Sequence, residues 1–431
     1  MARNVFISFL GTSNYLETYY SIGDFKSTQP VRFIQEALIE YLCRDWTAED
    51  KILIFCTKTS QEKNWDDNGQ GNTDCEGLSS RLKKLKLPIP IEAVEITEGF
   101  SEEDIWDIFN KVYHKLNIGD NVYLDVTHAF RSIPIFSTVL FNYAHYLKGT
   151  NLKVVYYGAF EKLGPAYKVK DMNVEDRNAP IIDLTSIIRL QELSTAASNL
   201  HQYGKMKSIS DLLGIVQGKG KGKQNIERIK KKMKEFDTAL STCKMDIIKE
   251  GKLIGELQSL VSNNKDSKNL TEAHRQLIVK VQEEINMFKP YDTYDNVEAA
   301  IDWAKKYGMI QQAYTLAEEL TISKVKDIIT PKYKILQNEK NIECRKFVSV
   351  LLSLEENKKA EYKNDNEELK KLFHQLYDNP YISNLRKWYT QLANDRNIIN
   401  HAKKSDKDFD KQFDINYSEI RKYLNDVHQP L

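Results

Sequence analysis

Cysteine is scarce in this 431-residue chain, and its five copies (Cys43, Cys56, Cys75, Cys243 and Cys344) stand far apart, with no Cys-x-x-Cys pair and no neighbouring histidine. That pattern excludes a disulfide framework and a zinc knuckle and leaves structural thiols. Net charge is nearly absent: 62 basic against 61 acidic residues give +1. No global field therefore attracts nucleic acid, and any such contact needs a local patch. A run of about 18 apolar residues, the length that spans a bilayer, is missing. The short apolar start, Val5 to Leu10, reads as a strand and not as a signal-peptide core, so a cytoplasmic location and no membrane partner are expected. The chain also lacks a Gly-x-Gly-x-x-Gly fingerprint, which disfavours a nicotinamide or flavin enzyme. Gly214 to Lys223 alternates Gly and Lys without the order of a P-loop and reads as a flexible solvated loop.

What is present divides unevenly. Ten of the 18 glycines and six of the ten prolines fall in residues 1–180, so the first part is turn-rich. The remainder is rich in Lys, Glu, Leu, Ile and Asn at helical spacing. Within the first part, strands are expected at Asn4 to Leu10, Lys51 to Thr57, Ile91 to Thr97, Asn121 to Val126 and Lys153 to Phe160. Amphipathic helices fill gaps between them, clearest at Val31 to Arg44 and around Ile105 to Leu116. Strand, helix, strand at this spacing predicts an α/β Rossmann-like domain over 1–180, a mostly parallel doubly wound sheet whose crevice lies at the carboxyl ends of the strands. No strand is expected from about Ile181 on. Long helical stretches at Glu227 to Leu260, Thr271 to Phe288 and Asn296 to Ile329 predict an all-α domain over 181–431. The basic run Lys230 to Lys234 reads as a solvated helix face.

Three loops stand at the expected crevice. The turn after the first strand, Gly11-Thr12-Ser13-Asn14-Tyr15, offers a tight backbone turn with hydroxyl and amide donors. Directly after the fourth expected strand comes Asp125-Val126-Thr127-His128-Ala129-Phe130-Arg131-Ser132, opening a helix with Pro134 in its first turn. Helix-start N–H groups, the Thr127 and Ser132 hydroxyls and the Arg131 guanidinium suit an anion there; the alternative has Asp125 and Ser132 as caps and His128 as a satisfied polar residue. Thr57 and Lys58 form a third, less specific loop.

In the helical part, Arg396, Asn397 and His401 lie within an amphipathic helix expected from Ser383 to Lys404. At about 100° per residue, Arg396 falls on the stripe of Leu385, Tyr389, Leu392 and Ile399, while Asn397 and His401 share a neighbouring face. An arginine in an apolar stripe must either pair with a buried carboxylate or face a groove. Arginine and histidine without metal ligands suit metal-independent cleavage of RNA. A histidine moves protons to and from the 2'-hydroxyl and the leaving 5'-oxygen, and an arginine stabilises the phosphate charge. Cyclic 2',3'-phosphate ends and no cleavage of DNA are then expected.

The turn Gly11 to Tyr15 together with Asp125 to Ser132 resembles the CARF (CRISPR-associated Rossmann-fold) sensor domains, and Arg396-Asn397 with His401 is similar to the Arg-Asn-x-x-x-His motif of HEPN ribonucleases. In this order the two resemble the CARF-HEPN ancillary ribonucleases of type III CRISPR systems. That resemblance implies a homodimer, with room for higher oligomers, binding one cyclic oligoadenylate, commonly the tetra-adenylate ring, as allosteric activator. It also implies single-stranded RNA as substrate and no cofactor or metal for catalysis. Residue by residue, it makes Arg396 and His401 catalytic with Asn397 in support. The ring would be contacted by Gly11, Thr12, Ser13, Asn14, Tyr15, Thr127, His128, Ala129, Phe130, Arg131 and Ser132, with Thr57 and Lys58 as further contacts. Arg396 would face a partner helix instead of its own core. Residues 184–377 match no such motif and leave room for an intervening helical subdomain. The competing class is a nucleotide-sensing binding protein or transcription regulator without nuclease activity. In a third reading the sensor slowly cleaves its own ring through His128 and Arg131.

Overall fold

The strongest strand signals form the middle of one sheet. In a computed structural model that describes residues 2–71, 75–128, 133–188, 190–213, 221–264 and 270–425, an eight-stranded sheet runs in the order β3-β2-β8-β7-β6-β1-β4-β5. Its strands are β1 (Asn4–Leu10), β2 (Tyr19–Ile22), β3 (Phe25–Lys26), β4 (Lys51–Thr57), β5 (Ile91–Ile96), β6 (Asn121–Asp125), β7 (Asn151–Gly158) and β8 (Asn178–Asp183). From β5 through β7 every pairing is parallel, while β7–β8 and β2–β3 are antiparallel. The mostly parallel, doubly wound expectation holds.

Alternation along each strand serves both faces. Phe6, Ile52, Ile54 and Cys56 pack with Ile34 and Leu38 of helix α1 (Ile34–Leu42) on one side. On the other side Val5, Ile7, Leu53 and Phe55 pack with Ile108 and Val112 of α2 (Glu102–Lys115), and with Leu140 and Ala144 of α3 (Ile133–Lys148). Each fully buried Val, Leu, Ile or Phe side chain among them contributes roughly 1.5–3 kcal/mol. The chain winds outward from β1 through β4 to β5 and then returns to β6 on β1's other flank. The carboxyl ends of β1 and β6 thus border the topological switch point, where such sheets open a ligand crevice.

Three strands escape the sequence pattern. Two are short, four and two residues. The third, β8, carries Pro180, which cannot donate to a ladder, yet it pairs with both β7 and β2. It also corrects the reading that no strand follows Ile181, and it crosses the 180/181 boundary expected between the two domains.

By its contacts the chain divides into two units, Met1–Leu190 and Gln191–Leu431. Every regular element described from residue 191 on is helical, so the α/β and then all-α expectation holds. Its principal members include α4 (Lys221–Ser241), α5 (Asp295–Lys306), α6 (Ile310–Ile329), α7 (Pro380–Asn400) and α8 (Phe409–Leu424). Two of the long helices expected from sequence are broken. Cys243 and Gly251 interrupt the first with φ of 51° and 72°, and Gly308 interrupts the second with φ of 67°. At Gly251 a Cβ would meet the carbonyl oxygens of Lys289 and Tyr291 at 2.6 and 2.5 Å, so a close backbone approach, not periodicity, sets that break. Along α4 the lysines sit on a solvated face as expected, with Lys230 bridged to Glu227, Lys232 to Glu235 and Glu256, and Lys234 to Asp211.

Candidate ligand crevice and candidate active site

Where β1 ends, its following loop is tied down by its own carbonyls. Asn64 donates through Nδ2 to the Gly11 and Ser13 oxygens at 2.8 and 2.9 Å, and Gln70 donates to the Thr12 oxygen at 3.1 Å. Asn64 is oriented in turn by Arg32 Nη2, which donates to its Oδ1 at 3.3 Å. With these carbonyls held, the Ser13 and Asn14 side chains remain exposed. Gly11 is required here for space: a Cβ would lie 2.2 Å from the Tyr15 hydroxyl and 3.3 Å from His128 Cβ.

On the β6 side a buried carboxylate organises the turn. Asp125 accepts the Ser8 hydroxyl at 2.7 Å, and from Thr127 the backbone N–H at 2.9 Å and the hydroxyl at 2.5 Å. Thr127 Oγ1 accepts the Gly158 N–H at 2.8 Å, while Gln35 donates to Ser8 Oγ and to the Phe9 oxygen at 3.0 and 3.2 Å. The ends of β1, β6 and β7 are thereby linked by side chains. Burial pushes the Asp125 carboxyl above its usual range, and the Thr127 and Ser8 hydrogen bonds pull against that shift.

Between these loops lies a cavity of about 280 Å³, lined among others by Ser13, Asn14, Tyr15, Thr127, His128 and Tyr157. The rings of Tyr15 and His128 pack against each other with centroids 4.2 Å apart and planes tilted by 32°. His128 Nε2 is shielded from solvent and has no partner among the described residues. Burial lowers this imidazole to about 4, so it is neutral near pH 7. Burial also raises the Tyr15 phenol. At the far wall Tyr157 donates to Glu161 at 2.5 Å. Flat rings with exposed Ser and Asn side chains can stack a planar heterocycle and hydrogen-bond its edge.

The structure brings Ser13, Asn14, Tyr15, Thr127 and His128 together at this cavity. Gly11 and Thr12 stand behind it as its frame. Thr127 differs from expectation, because its hydroxyl is already engaged with Asp125 and Gly158. Thr57 is buried and caps a short helical turn by accepting the Ser60 N–H at 3.2 Å, and Lys58 is exposed; neither lines the cavity. Ala129, Phe130, Arg131 and Ser132 lie outside the described residues. Sequence reasoning missed Asn64, Gln70, Tyr157 and Glu161. Asn64 and Gln70 come from the turn after β4, and only the pairing of β1 with β4 brings that turn alongside.

In the second unit, α7 starts where Asn379 accepts the Tyr381 and Ile382 N–H groups ahead of Pro380, an N-cap followed by proline at the first helical position. Leu385, Tyr389 and Leu392 are buried along it, as the stripe predicts. Asp395, also buried, accepts Lys407 Nζ at 2.5 Å and Asn416 Nδ2 at 3.4 Å, fixing the helix end to α8. One residue on, Arg396 Nη1 reaches Glu318 of α6 at 3.3 and 3.5 Å. A counter-charge for Arg396 is thus supplied within its own chain, the buried-carboxylate pairing that its place on the stripe allows. Burial pushes Glu318 up and the Arg396 charge pulls it down. Asn397 is exposed, and its side-chain oxygen lies 3.5 Å from Arg396 Nη1. His401 caps the helix, its N–H donating to the Asn397 oxygen at 3.1 Å, and is exposed. A half-buried guanidinium and an exposed imidazole thus stand little more than one helical turn apart.

A Rossmann-like sheet with a polar, ring-lined cavity at its switch point defines the first unit as a ligand-binding module. Residues 5–161 match the family model described as "CRISPR system endoribonuclease Csx1, CARF domain". This stretch of the chain is thus similar to the CARF domains of CRISPR-associated proteins. The CRISPR-associated protein MJ1674 of Methanocaldococcus jannaschii is 29% identical over 188 residues, 41% of this chain. The match spans 28% of that relative's own length. Among solved structures, Enterococcus italicus Csm6 bound to cyclic hexa-2'-fluoro-hexa-dAMP is similar with a TM-score of 0.49 at 14% identity, over 98% of this chain and 94% of that one.

Proposed function

We propose that this protein is a cyclic-oligoadenylate-activated, metal-independent single-strand endoribonuclease of type III CRISPR defence, its first unit sensing the ring and its HEPN-like helical unit cleaving RNA. The observation that carries the nuclease reading is the end of α7, where Arg396 is anchored by Glu318 and His401 is exposed. In this reading the RNA's own 2'-oxygen attacks the adjacent phosphorus and the bond to the 5'-oxygen breaks, leaving a 2',3'-cyclic phosphate and a 5'-hydroxyl. His401 takes the 2'-hydroxyl proton, a second imidazole returns one to the 5'-oxygen, and Arg396 stabilises the charge on the non-bridging oxygens. A homodimer supplies that second imidazole.

Self-association has its own support. Between Ile133 and Leu147 helix α3 carries no Asp, Glu, Lys or Arg, yet it exposes Val139, Tyr143, Tyr146 and Leu147. A contiguous uncharged face of this kind marks an interaction surface, and Tyr143→Glu is expected to shift the light-scattering mass to that of one chain. An unchanged mass removes this face from the dimer.

For the ring, stacking on Tyr15, His128 and Tyr157 accounts for base binding, and a symmetric ring suits a two-fold assembly. Activation then requires the ring to bind the cleaving arrangement more tightly than the idle one, by about 1.4 kcal/mol per tenfold. The test is cleavage of a fluorescent single-stranded RNA in EDTA with cyclic tri-, tetra- or hexa-adenylate, for wild type and His401→Ala. Cleavage that needs one ring and is lost in the variant is expected. No cleavage with any ring, or equal cleavage by His401→Ala, moves the protein to the class of nucleotide-sensing regulators.

A further inference from the structure

Two arginine–carboxylate pairs elsewhere in the fold engage two guanidinium nitrogens, while Arg81 holds Glu36 through Nε alone but at 2.9 and 3.0 Å. Arg3 donates to Asp120 through Nε and Nη2 at 3.1 and 2.6 Å, and Arg421 to Glu298 through Nε and Nη2 at 3.0 and 2.9 Å. The Arg3–Asp120 fork, two nitrogens on two oxygens, is the strong form of the interaction. Arg396 departs from them. Only its Nη1 reaches Glu318, at 3.3 and 3.5 Å. Its Nε and Glu318 Oε2 are both shielded from solvent without a hydrogen bond, and its Nη2 has no partner among the described residues.

The carboxylate itself is well placed to act as an anchor. Glu318 sits on α6 with only 12% of its side chain exposed, against 27% for Arg396, and Tyr389 of α7 donates to its Oε1 at 3.5 Å. The same two helices are tied again where Gln311 donates to the Asn400 side chain at 3.0 Å, next to His401. Without the Glu318 charge, a guanidinium on the stripe of Leu385, Tyr389 and Leu392 would have no internal counter-ion among the described residues and would turn to water. With it, the guanidinium is held at one corner and keeps an open edge.

We infer that Glu318 is the positioning residue of the Arg396–His401 site, holding the guanidinium through Nη1 so that its Nη2 edge stays free for a phosphodiester oxygen. The inference rests on the ribonuclease reading and adds a residue to it from a helix 78 positions earlier in the chain. Glu318 does not touch the RNA; it acts through Arg396.

The test uses the full-length protein with its activating ring and follows kcat and KM for wild type, Glu318→Gln, Glu318→Asp and Arg396→Ala, with thermal unfolding of each. Glu318→Gln is expected to lower kcat by about 10- to 100-fold, the scale of a misplaced group. KM should move little, because the lost contact is made in the transition state. Glu318→Asp should recover part of the loss. In the Arg396→Ala background, Glu318→Gln should add no further loss, the signature of one residue acting through another. A Glu318→Gln protein with wild-type kcat overturns the assignment, as does a kcat that falls only with the folded fraction. Higher cleavage in the absence of the ring also overturns it, since Glu318 would then restrain Arg396 instead of placing it. Absence of cleavage by the wild type removes the ribonuclease reading itself and this assignment with it, an outcome distinct from normal cleavage by both proteins.

Discussion

At the carboxyl edge of the sheet, Ser8, Asp125, Thr127 and Gly158 hold one another at 2.5–2.9 Å, whereas at the end of α7 Arg396 meets the Glu318 carboxylate at 3.3 and 3.5 Å. The first place is a tightly bonded network: the Asp125 carboxylate, the Ser8 and Thr127 hydroxyls and the Gly158 N–H have all found partners, and among the described residues Gln35 Oε1 and His128 Nε2 are left without one. The second is a loosely held charge beside an exposed imidazole. A site that must recognise a shaped ligand gains from rigidity. One that completes its geometry only on assembly or activation can keep donors unmatched until then.

The sharpest way to break this contrast is at the helix end. Removing the imidazole in His401→Ala, or the guanidinium in Arg396→Ala, is expected to lower activated RNA cleavage by about 10²–10⁴-fold while leaving binding of the activating ring unchanged in calorimetry. Loss of ring binding in either variant would erase the division of labour between the two regions.

Next in size is the network. Asp125→Ala strands the Ser8 hydroxyl and the Thr127 hydroxyl and N–H, and is expected to destabilise the first unit by about 2–4 kcal/mol in urea unfolding. A neutral result would mean that the crevice is no more rigid than the helix end.

Gly11→Ala probes the cavity wall. The added methyl group displaces the Tyr15 hydroxyl, which a Cβ would approach to 2.2 Å, and so disturbs the Tyr15–His128 pair. Ring affinity should fall about tenfold, the worth of one stacked base, with RNA cleavage at saturating ring retained.

The smallest effect is in pH dependence. His128 is held near 4 in the folded chain by burial, against about 6.5 in an unfolded one. Between these values the unfolded state binds more protons, so stability should rise with pH from about 4 to 6.5 and level off above. In His128→Gln the slope of thermal stability over this window should be shallower; an unchanged slope would mean that the imidazole is open to water.

Much of this was legible in the chain. Five strands announced themselves by β-branched runs, and β1 and β4 begin and end at the residues the pattern indicates, because their both-sided burial demands continuous apolar sequence. The crevice loops were found for the same reason: they follow those strands. Asn64 and Glu318 were not, since a single Asn or Glu carries no periodic signal, and each meets its partner across more than 50 positions, 53 for Asn64 and Gly11 and 78 for Glu318 and Arg396. The place of Thr57 was not legible, because a threonine at the end of a crevice strand looks the same whether it faces a ligand or caps a turn, and here its hydroxyl accepts the Ser60 N–H.

The sequence by itself determined the fold class, the winding of the first unit and the residue types at both candidate sites, because local periodicity and turn chemistry act within a few residues. Tertiary structure alone decided which groups are free to act. It consumed the Thr127 hydroxyl inside the sheet, buried His128 Nε2 without a partner among the described residues, and placed Glu318 beside Arg396, since burial and partnering of polar groups depend on what distant segments bring to the same spot.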